Sequence, residues 1–184
     1  CDYSLNIIIM SRVLLERLIN GAISTGAESF ERDIIAKNAS DLYLRGYKIE
    51  EYAKTIDSLQ SYYDINMQLL SGEFKDLFTK DRPVYTKVRD DMPAIYGICS
   101  KASDSLVADG CVIKGTVENC VLSRGVYVAE GAVIRNSIIM QDCYISANAK
   151  INCAILDKDV VVKPARELSG AETYPLYIGK GITV

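Results

Sequence analysis

From Leu122 to Val162 one aliphatic residue recurs at a short, nearly constant interval: Leu122, Val128, Ile134, Ile139, Ile145, Ile151, Leu156, Val162. The intervals are six or five residues, so positions return every 17. Leu122, Ile139 and Leu156 fall on one track, Val128, Ile145 and Val162 on a second, Ile134 and Ile151 on a third. A fixed period in this range marks a solenoid rather than a single globular core. Three tracks per period predict a coil with three flat sides, each a short parallel strand with its aliphatic side chain inward. Four residues after each inward position stands a second small or aliphatic residue: Val126, Ala132, Ile138, Cys143, Ala149, Ile155, Val160. Both sets are expected to face the lumen of a hexapeptide-repeat β-helix.

The 184 residues allow one ordinary domain, or a small domain plus a piece of another. Half of the chain is apolar (49%) and a quarter charged (24%), which fits a folded protein rather than a disordered one. A net charge of −3 selects no partner, and no basic stripe points to nucleic acid. The longest apolar run, Ile7 to Met10, is far too short to span a membrane, and no basic leader precedes it. Cys111, Cys120, Cys143 and Cys153 fall at or beside lumen positions. A thiol there acts as a small apolar group, so reduced cysteine and a cytoplasmic location are expected. The chain opens on Cys1 and runs at once into a strand-like segment, which reads as a fragment.

Upstream of the coil, residues 3–10 read as a strand. Ser11 is placed to cap a helix carrying Leu14, Leu15, Leu18 and Ile19 and ending at Gly21. A polar turn over Ser24–Glu28 leads to Ser29, a cap for a short helix around Phe30, Ile34 and Ile35. Asp41–Lys54 alternates like a strand pair or a bent strand. Asp57 or Ser58 then caps an amphipathic helix with Leu59, Tyr62, Tyr63, Asn66, Met67 and Leu70 on one face and Gly72 at its end. Glu73–Phe78 is a candidate further helical turn. The divisions are residues 1–80, a linker over 81–102, and the helical domain over 103–184. Only about three coils look regular, a stub of about 15 Å at the usual strand spacing. Its open edges need a cap, and the alternating tail Tyr174, Leu176, Ile178, Ile182, Val184 is placed to cover one end.

The chain contains no histidine. That removes the histidine general base of hexapeptide acyltransferases and a three-histidine zinc site from this segment. No cysteine pair has ligand-type spacing, so no metal site is assigned. Cys99 is a candidate reactive thiol, with only Lys101 nearby to activate it; a structural role is the alternative. Lys87 and Arg89 can hold a phosphate and form a candidate effector site, or a surface cluster neutralised by Asp90 and Asp91. Arg124 and Arg135 project outward, where solvation is the default. Asp33, Glu50, Glu51 and Asp57 read as isolated acids that cap or solubilise.

The order of elements resembles the C-terminal part of sugar-nucleotide pyrophosphorylases. "YSLNIIIM" is similar to a family segment with Ser-Met-Gly before a strand, and "SFERDIIA" (Ser29–Ala36) to Asp-Phe-Gly-Lys-Asp-Ile-Ile-Pro. "SYYDINMQLL" (Ser61–Leu70) resembles Ala-Tyr-Trp-x-Ala-Asn-Leu-x-Leu. "PVYTKVR" (Pro83–Arg89) and "DSLVADGCVIKGTVENCVLSRGV" (Asp104–Val126) look like the linker and first coils of bacterial glucose-1-phosphate adenylyltransferase. The resemblance implies a nucleotidyltransferase (Rossmann-like) α/β remnant over 1–80 and a left-handed parallel β-helix over 103–184. The left hand comes from the family, against the general right-handed rule for parallel crossovers.

In that family Tyr-Trp-x-Asp-Val-Gly-Thr precedes the amphipathic helix, and its aspartate helps hold magnesium at the nucleotide phosphates. The corresponding stretch here is "YAKTIDS", Tyr52–Ser58. Thr55 stands in place of the aspartate, Ala53 in place of the tryptophan, and Asp57 in place of the glycine. A neutral hydroxyl does not supply the anionic oxygen a hard dication prefers, so bound magnesium is not expected in this segment. Ser4 keeps the family's substrate-binding serine, but Asn6 and Glu31 replace glycines. The resemblance therefore implies a regulatory, catalytically degenerate subunit. It would pair with a catalytic glucose-1-phosphate adenylyltransferase subunit in a hetero-oligomer, a tetramer, and answer to a sugar-phosphate effector. The alternatives are an active subunit using a displaced acid such as Glu51 or Asp57, and a purely structural assembly module.

Overall fold

A computed structural model describes residues 4–50, 52–72, 77, 79–81 and 83–184. The chain divides into two compact units, Cys1–Thr55 and Ile56–Val184. The amphipathic helix therefore belongs with the coil rather than with the residues before it, and the expected divisions at 80 and 102 do not coincide with this break.

In the first unit α1 spans Arg12–Thr25, with the Ser11 side chain accepting from the Leu14 N–H as expected of an N-cap. The helix does not stop at Gly21. It runs on to Gly26, whose φ of +64° lets its N–H turn back to the Ala22 carbonyl. Ser29 caps the next element by accepting from the Arg32 N–H, and that element is a π-helix over Phe30–Ile35. The expected strands at 3–10 and 41–54 do not form. Within the described residues neither has a neighbouring strand to take its N–H and C=O groups, and Ile7, Ile9, Tyr43 and Tyr47 are exposed. The described residues of this unit hold no strand, so its α/β character is not visible. The helical turn expected at Glu73–Phe78 lies mostly outside the described residues.

The second unit opens with α2, Leu59–Leu70. Ser58 is its N-cap, and the Ser61 hydroxyl accepts from the Ser58 N–H in return, a closed capping box. The coil follows as three parallel sheets of five strands. Sheet A stacks β1 (Ile95–Tyr96), β4 (Val112–Ile113), β7 (Tyr127–Val128), β10 (Tyr144–Ile145) and β13 (Val161–Val162). Sheet B stacks β2 (Lys101–Ser103), β5 (Thr116–Glu118), β8 (Val133–Arg135), β11 (Lys150–Asn152) and β14 (Glu167–Ser169). Sheet C stacks β3 (Leu106–Val107), β6 (Val121–Leu122), β9 (Ile138–Ile139), β12 (Ala154–Leu156) and β15 (Leu176–Ile178).

The solenoid is longer than the three regular coils expected. It has five tiers, about 19 Å from first to last at the usual strand spacing. It starts at Ile95, within the stretch read as linker. The early irregularity is real but local. Val112 pairs with Tyr127, fifteen residues on, whereas Tyr127 pairs with Tyr144, seventeen on. The two missing residues are at the corner between β4 and β5, where only Lys114 and Gly115 make the turn. A Cβ on Gly115 would lie 2.8 Å from the Ala129 carbonyl and collide outright with that of Ala132. The tail does close the last tier: β15 pairs with β12, and Leu176, Ile178 and Val184 pack on the core.

The inward track is fully buried from Ile113 to Val162, and Val126, Ala132, Cys143, Ala149 and Val160 share the same core. Ile138 and Ile155 do not. They belong to a separate cluster outside sheet C, beneath Tyr63, Tyr62 and Met67 of α2. Sheet C is reached by a step of five rather than six, so counting four forward from the previous track overshoots by one. The lumen partners there stand two residues before the inward position, at Cys120 and Ala154, with Ser137 equally buried. Sheet C is thus apolar on both faces, as a parallel strand covered on both sides must be. The described residues contain no helix long and apolar enough to cross a membrane.

Candidate functional site

The π-helix brings three of the sequence-assigned positions together. Ser4 Oγ donates to Glu31 Oε1 at 2.8 Å and accepts the Asn6 N–H at 3.2 Å. With its amide turned so that the nitrogen faces the same carboxylate, Asn6 donates to both oxygens of Glu31. Asn6 has a φ of +57°, a left-handed conformation that glycine and asparagine adopt most readily. Asparagine keeps that backbone and adds a donor. Two residues on, Asp33 is the hub that fixes the π-helix. It pairs with Arg32 at 3.1 Å and Lys37 at 3.3 Å and accepts the Ser29 N–H at 3.0 Å. The Arg32 guanidinium, aided by the Ser29 N–H, holds its carboxyl well below the usual range. Asp33 is therefore not the isolated acid the sequence suggested. Between α1 and the π-helix lies a cleft of about 630 Å³ lined in part by Arg17, Lys37, Asp33 and Asp41.

Thr55 is exposed and outside any helix or strand. Its hydroxyl brings no anionic oxygen, and the described residues nowhere gather three His, Cys, Asp or Glu ligands.

In the second unit, Arg89 is paired with carboxylates rather than free. Arg89 pairs with Asp91 at 3.0 Å and with Asp142 at 3.5 Å, so its charge is shared between two carboxylates. The Lys87 carbonyl accepts from Arg124 at 3.0 Å, and the Met92 carbonyl accepts the Gly110 N–H. Segment 87–92 is in this way strapped along one corner of the solenoid. Arg124, expected to be merely solvated, is part of that strap. Arg135 is outward as expected, but it pairs with Glu118 on the neighbouring tier at 2.7 Å. Asp142 gave no sequence signal, because it is far along the chain from Arg89 and carries only a corner turn of its own.

Cys111, Cys120, Cys143 and Cys153 are buried free thiols and Cys99 is an exposed one. Burial pushes the Cys120 thiol up to about 12 and that of Cys143 to about 11, so neither forms thiolate near neutrality.

With this geometry in place, the relatives become informative. A family model described as "GlmU-like, C-terminal hexapeptide" matches residues 94–172, the coil. "Glycogen biosynthesis protein GlgD" of Bacillus subtilis (strain 168) is 40% identical over 180 residues, 97% of this chain and 52% of its own length. A "Glucose-1-phosphate adenylyltransferase" of Acetivibrio thermocellus is 38% identical over 132 residues, 70% of this chain and 30% of its own. One from Parafrankia sp. (strain EAN1pec) is 33% identical over 153 residues, 72% of this chain and 37% of its own. By sequence, this chain is similar to GlgD over nearly its whole length and to glucose-1-phosphate adenylyltransferases over most of it. It spans about half the length of GlgD and about a third of the adenylyltransferases it matches. The GlgD match covers nearly the whole chain, the residues around Glu31 and Thr55 included.

Proposed function

We propose that this chain is the C-terminal part of a regulatory subunit of glucose-1-phosphate adenylyltransferase, acting in glycogen biosynthesis in the cytoplasm. The reaction it would regulate joins ATP and glucose 1-phosphate into ADP-glucose and pyrophosphate. In this reading residues before the coil are the α/β remnant of a Rossmann-like nucleotidyltransferase domain, and the coil is left-handed. The observation that carries it is the 40% identity to GlgD over 97% of the chain. Thr55 supports the loss of catalysis, since magnesium would find a neutral hydroxyl where the family's aspartate is expected. The subunit would pair with a catalytic partner through the solenoid, in a tetramer.

The test is pyrophosphate exchange into ATP by the full-length subunit, alone and mixed with a catalytic subunit. Alone it should stay at background, and the Thr55→Asp variant should stay there too, because Ala53 and Asp57 also depart from the family. Strong exchange by the isolated subunit would favour an active enzyme instead.

A sugar-phosphate effector at Lys87 and Arg89 belongs to the same proposal. An anion reaching Arg89 would take the place of Asp142, the more exposed of its two carboxylates. Arg89→Ala should weaken the effector response of the hetero-oligomer while leaving the unfolding free energy within about 1 kcal/mol of wild type, as for other exposed pairs. The pairing of Arg89 also favours a second reading, a purely structural strap. An effector curve unchanged by Arg89→Ala would select that one.

A further inference from the structure

The three sides of the solenoid differ in what they show outward. Sheet B carries Lys101, Thr116, Val133, Lys150 and Glu167 in one outward row, with Glu118 and Arg135 paired in the next. Sheet C is apolar outside and is covered: Tyr62, Tyr63 and Met67 of α2 sit with Val121, Ile138 and Ile155. Sheet A is apolar outside too, with Ile95, Val112, Tyr127, Tyr144 and Val161 in register up all five tiers. It lies open: Ile95 is half exposed, and Tyr144 and Val161 more than a third. A contiguous apolar row of this kind marks a contact surface, and tyrosine is enriched in such contacts.

The row is also set in advance. The Tyr127 and Tyr144 rings stack with centroids 4.7 Å apart and planes within 1° of parallel. Little side-chain freedom is left for them to lose on docking. Lys114 lies over the Tyr127 ring at 5.4 Å, and Lys163 stands three tiers on in the same outward row. Among the described residues neither lysine forms an ion pair, whereas the corner acids Asp142 and Asp159 are taken by Arg89 and Lys180. Glu130, on the adjoining corner, is the acid whose charge reaches Lys114. Two copies of this face laid together would set positive against positive. The complement is therefore a different surface, apolar and edged with carboxylates.

We propose that the outward face of sheet A docks such a surface on the catalytic subunit. The proposal rests on the regulatory-subunit reading above and names which side of the solenoid makes that pairing. A face five strands tall is smaller than the ~800 Å² per partner of a standard interface, so it is the anchor within a wider contact.

The experiment is sedimentation velocity of the full-length subunit mixed with a catalytic glucose-1-phosphate adenylyltransferase subunit. Wild type is compared with Lys114→Glu/Lys163→Glu, with Tyr127→Ala/Tyr144→Ala, and with Lys101→Glu/Lys150→Glu on sheet B. All four lysines are exposed, so reversing them leaves folding intact, and the sheet B pair repeats the same change of charge on the polar side. Both sheet A variants should weaken assembly by about tenfold or more, while the sheet B variant stays within about twofold of wild type. Should the tyrosine variant not fold, the lysine pair decides alone. Sheet A variants that assemble as well as wild type overturn the proposal and leave the regulatory reading standing; so does an equal loss in the sheet B variant. Self-association of the subunit that the tyrosine variant abolishes makes a second copy the occupant and likewise overturns it. A wild type that does not assemble with the catalytic subunit removes the regulatory reading and the proposal with it.

Discussion

Ile139→Asp is expected to unfold the solenoid. Ile139 has no solvent exposure and stacks in the lumen between Leu122 and Leu156, its register partners on the adjacent tiers of sheet C. The lumen around it holds aliphatic residues, cysteines and Ser137, with no cation to meet a carboxylate. The variant gives up about 1.5–3 kcal/mol of burial. It also takes on several more for a desolvated charge, or for holding that group protonated. A loss of more than about 5 kcal/mol is comparable with the whole stability of an ordinary domain. Ile139→Val, which removes one methylene, should cost only about 0.5–1.5 kcal/mol. Thermal and urea unfolding followed by circular dichroism separate the two. A folded Ile139→Asp protein with an unchanged midpoint would mean that this side chain does not face a closed lumen.

Tyr63→Ala should release α2 while leaving the coil folded. Tyr63 is 4% exposed, covers Ile138 and Ile155, and donates its hydroxyl to the Asn136 carbonyl at 2.7 Å. Truncating an aromatic ring in such a setting costs about 3–5 kcal/mol, and an unpaired carbonyl is left behind. Tyr63→Phe isolates the hydrogen bond and should cost about 1 kcal/mol. Amide hydrogen exchange distinguishes local from global effects. In the alanine variant, α2 amides should exchange freely while those of β7, β8 and β10 stay protected. Retained protection in α2 would show that Gln60, which donates to the Glu172 carbonyl, or other contacts suffice to hold it.

The solenoid was legible because its period repeats a physical requirement: each side needs one inward aliphatic per tier. What failed was the finer count. Ile138 and Ile155 are as apolar as any lumen residue, and only the unequal step onto sheet C shows that they point the other way. Alternation alone could not reveal that a helix some 70 residues upstream covers them. The caps at Ser11, Ser29 and Ser58 were readable since capping is local chemistry. The expected strands at 3–10 and 41–54 were not secured, because alternation supplies a strand's faces but not its neighbour. Glu31 was visible as a departure, and its bond to Ser4 was not, since nothing in a linear sequence shows that two distant segments meet. Arg89 illustrates the same limit: Asp90 and Asp91 were obvious counter-ions, Asp142 was not.

The placement of α2 also bears on how the second unit holds together over time. In a solenoid each tier touches only the tiers next to it, so such a stack tends to fray from its ends one layer at a time. Here Tyr63 reaches Asn136 across 73 residues, and the α2 cluster takes in Val121, Ile138 and Ile155 from three successive tiers. Opening any one of these tiers disturbs the seat of the helix shared by all three. The middle of the stack therefore behaves as one cooperative block, and the first tier, which none of these contacts reaches, opens independently of it. Because that clamp closes the longest loop, it forms after the near-neighbour pairings, so the coil winds first and α2 locks it.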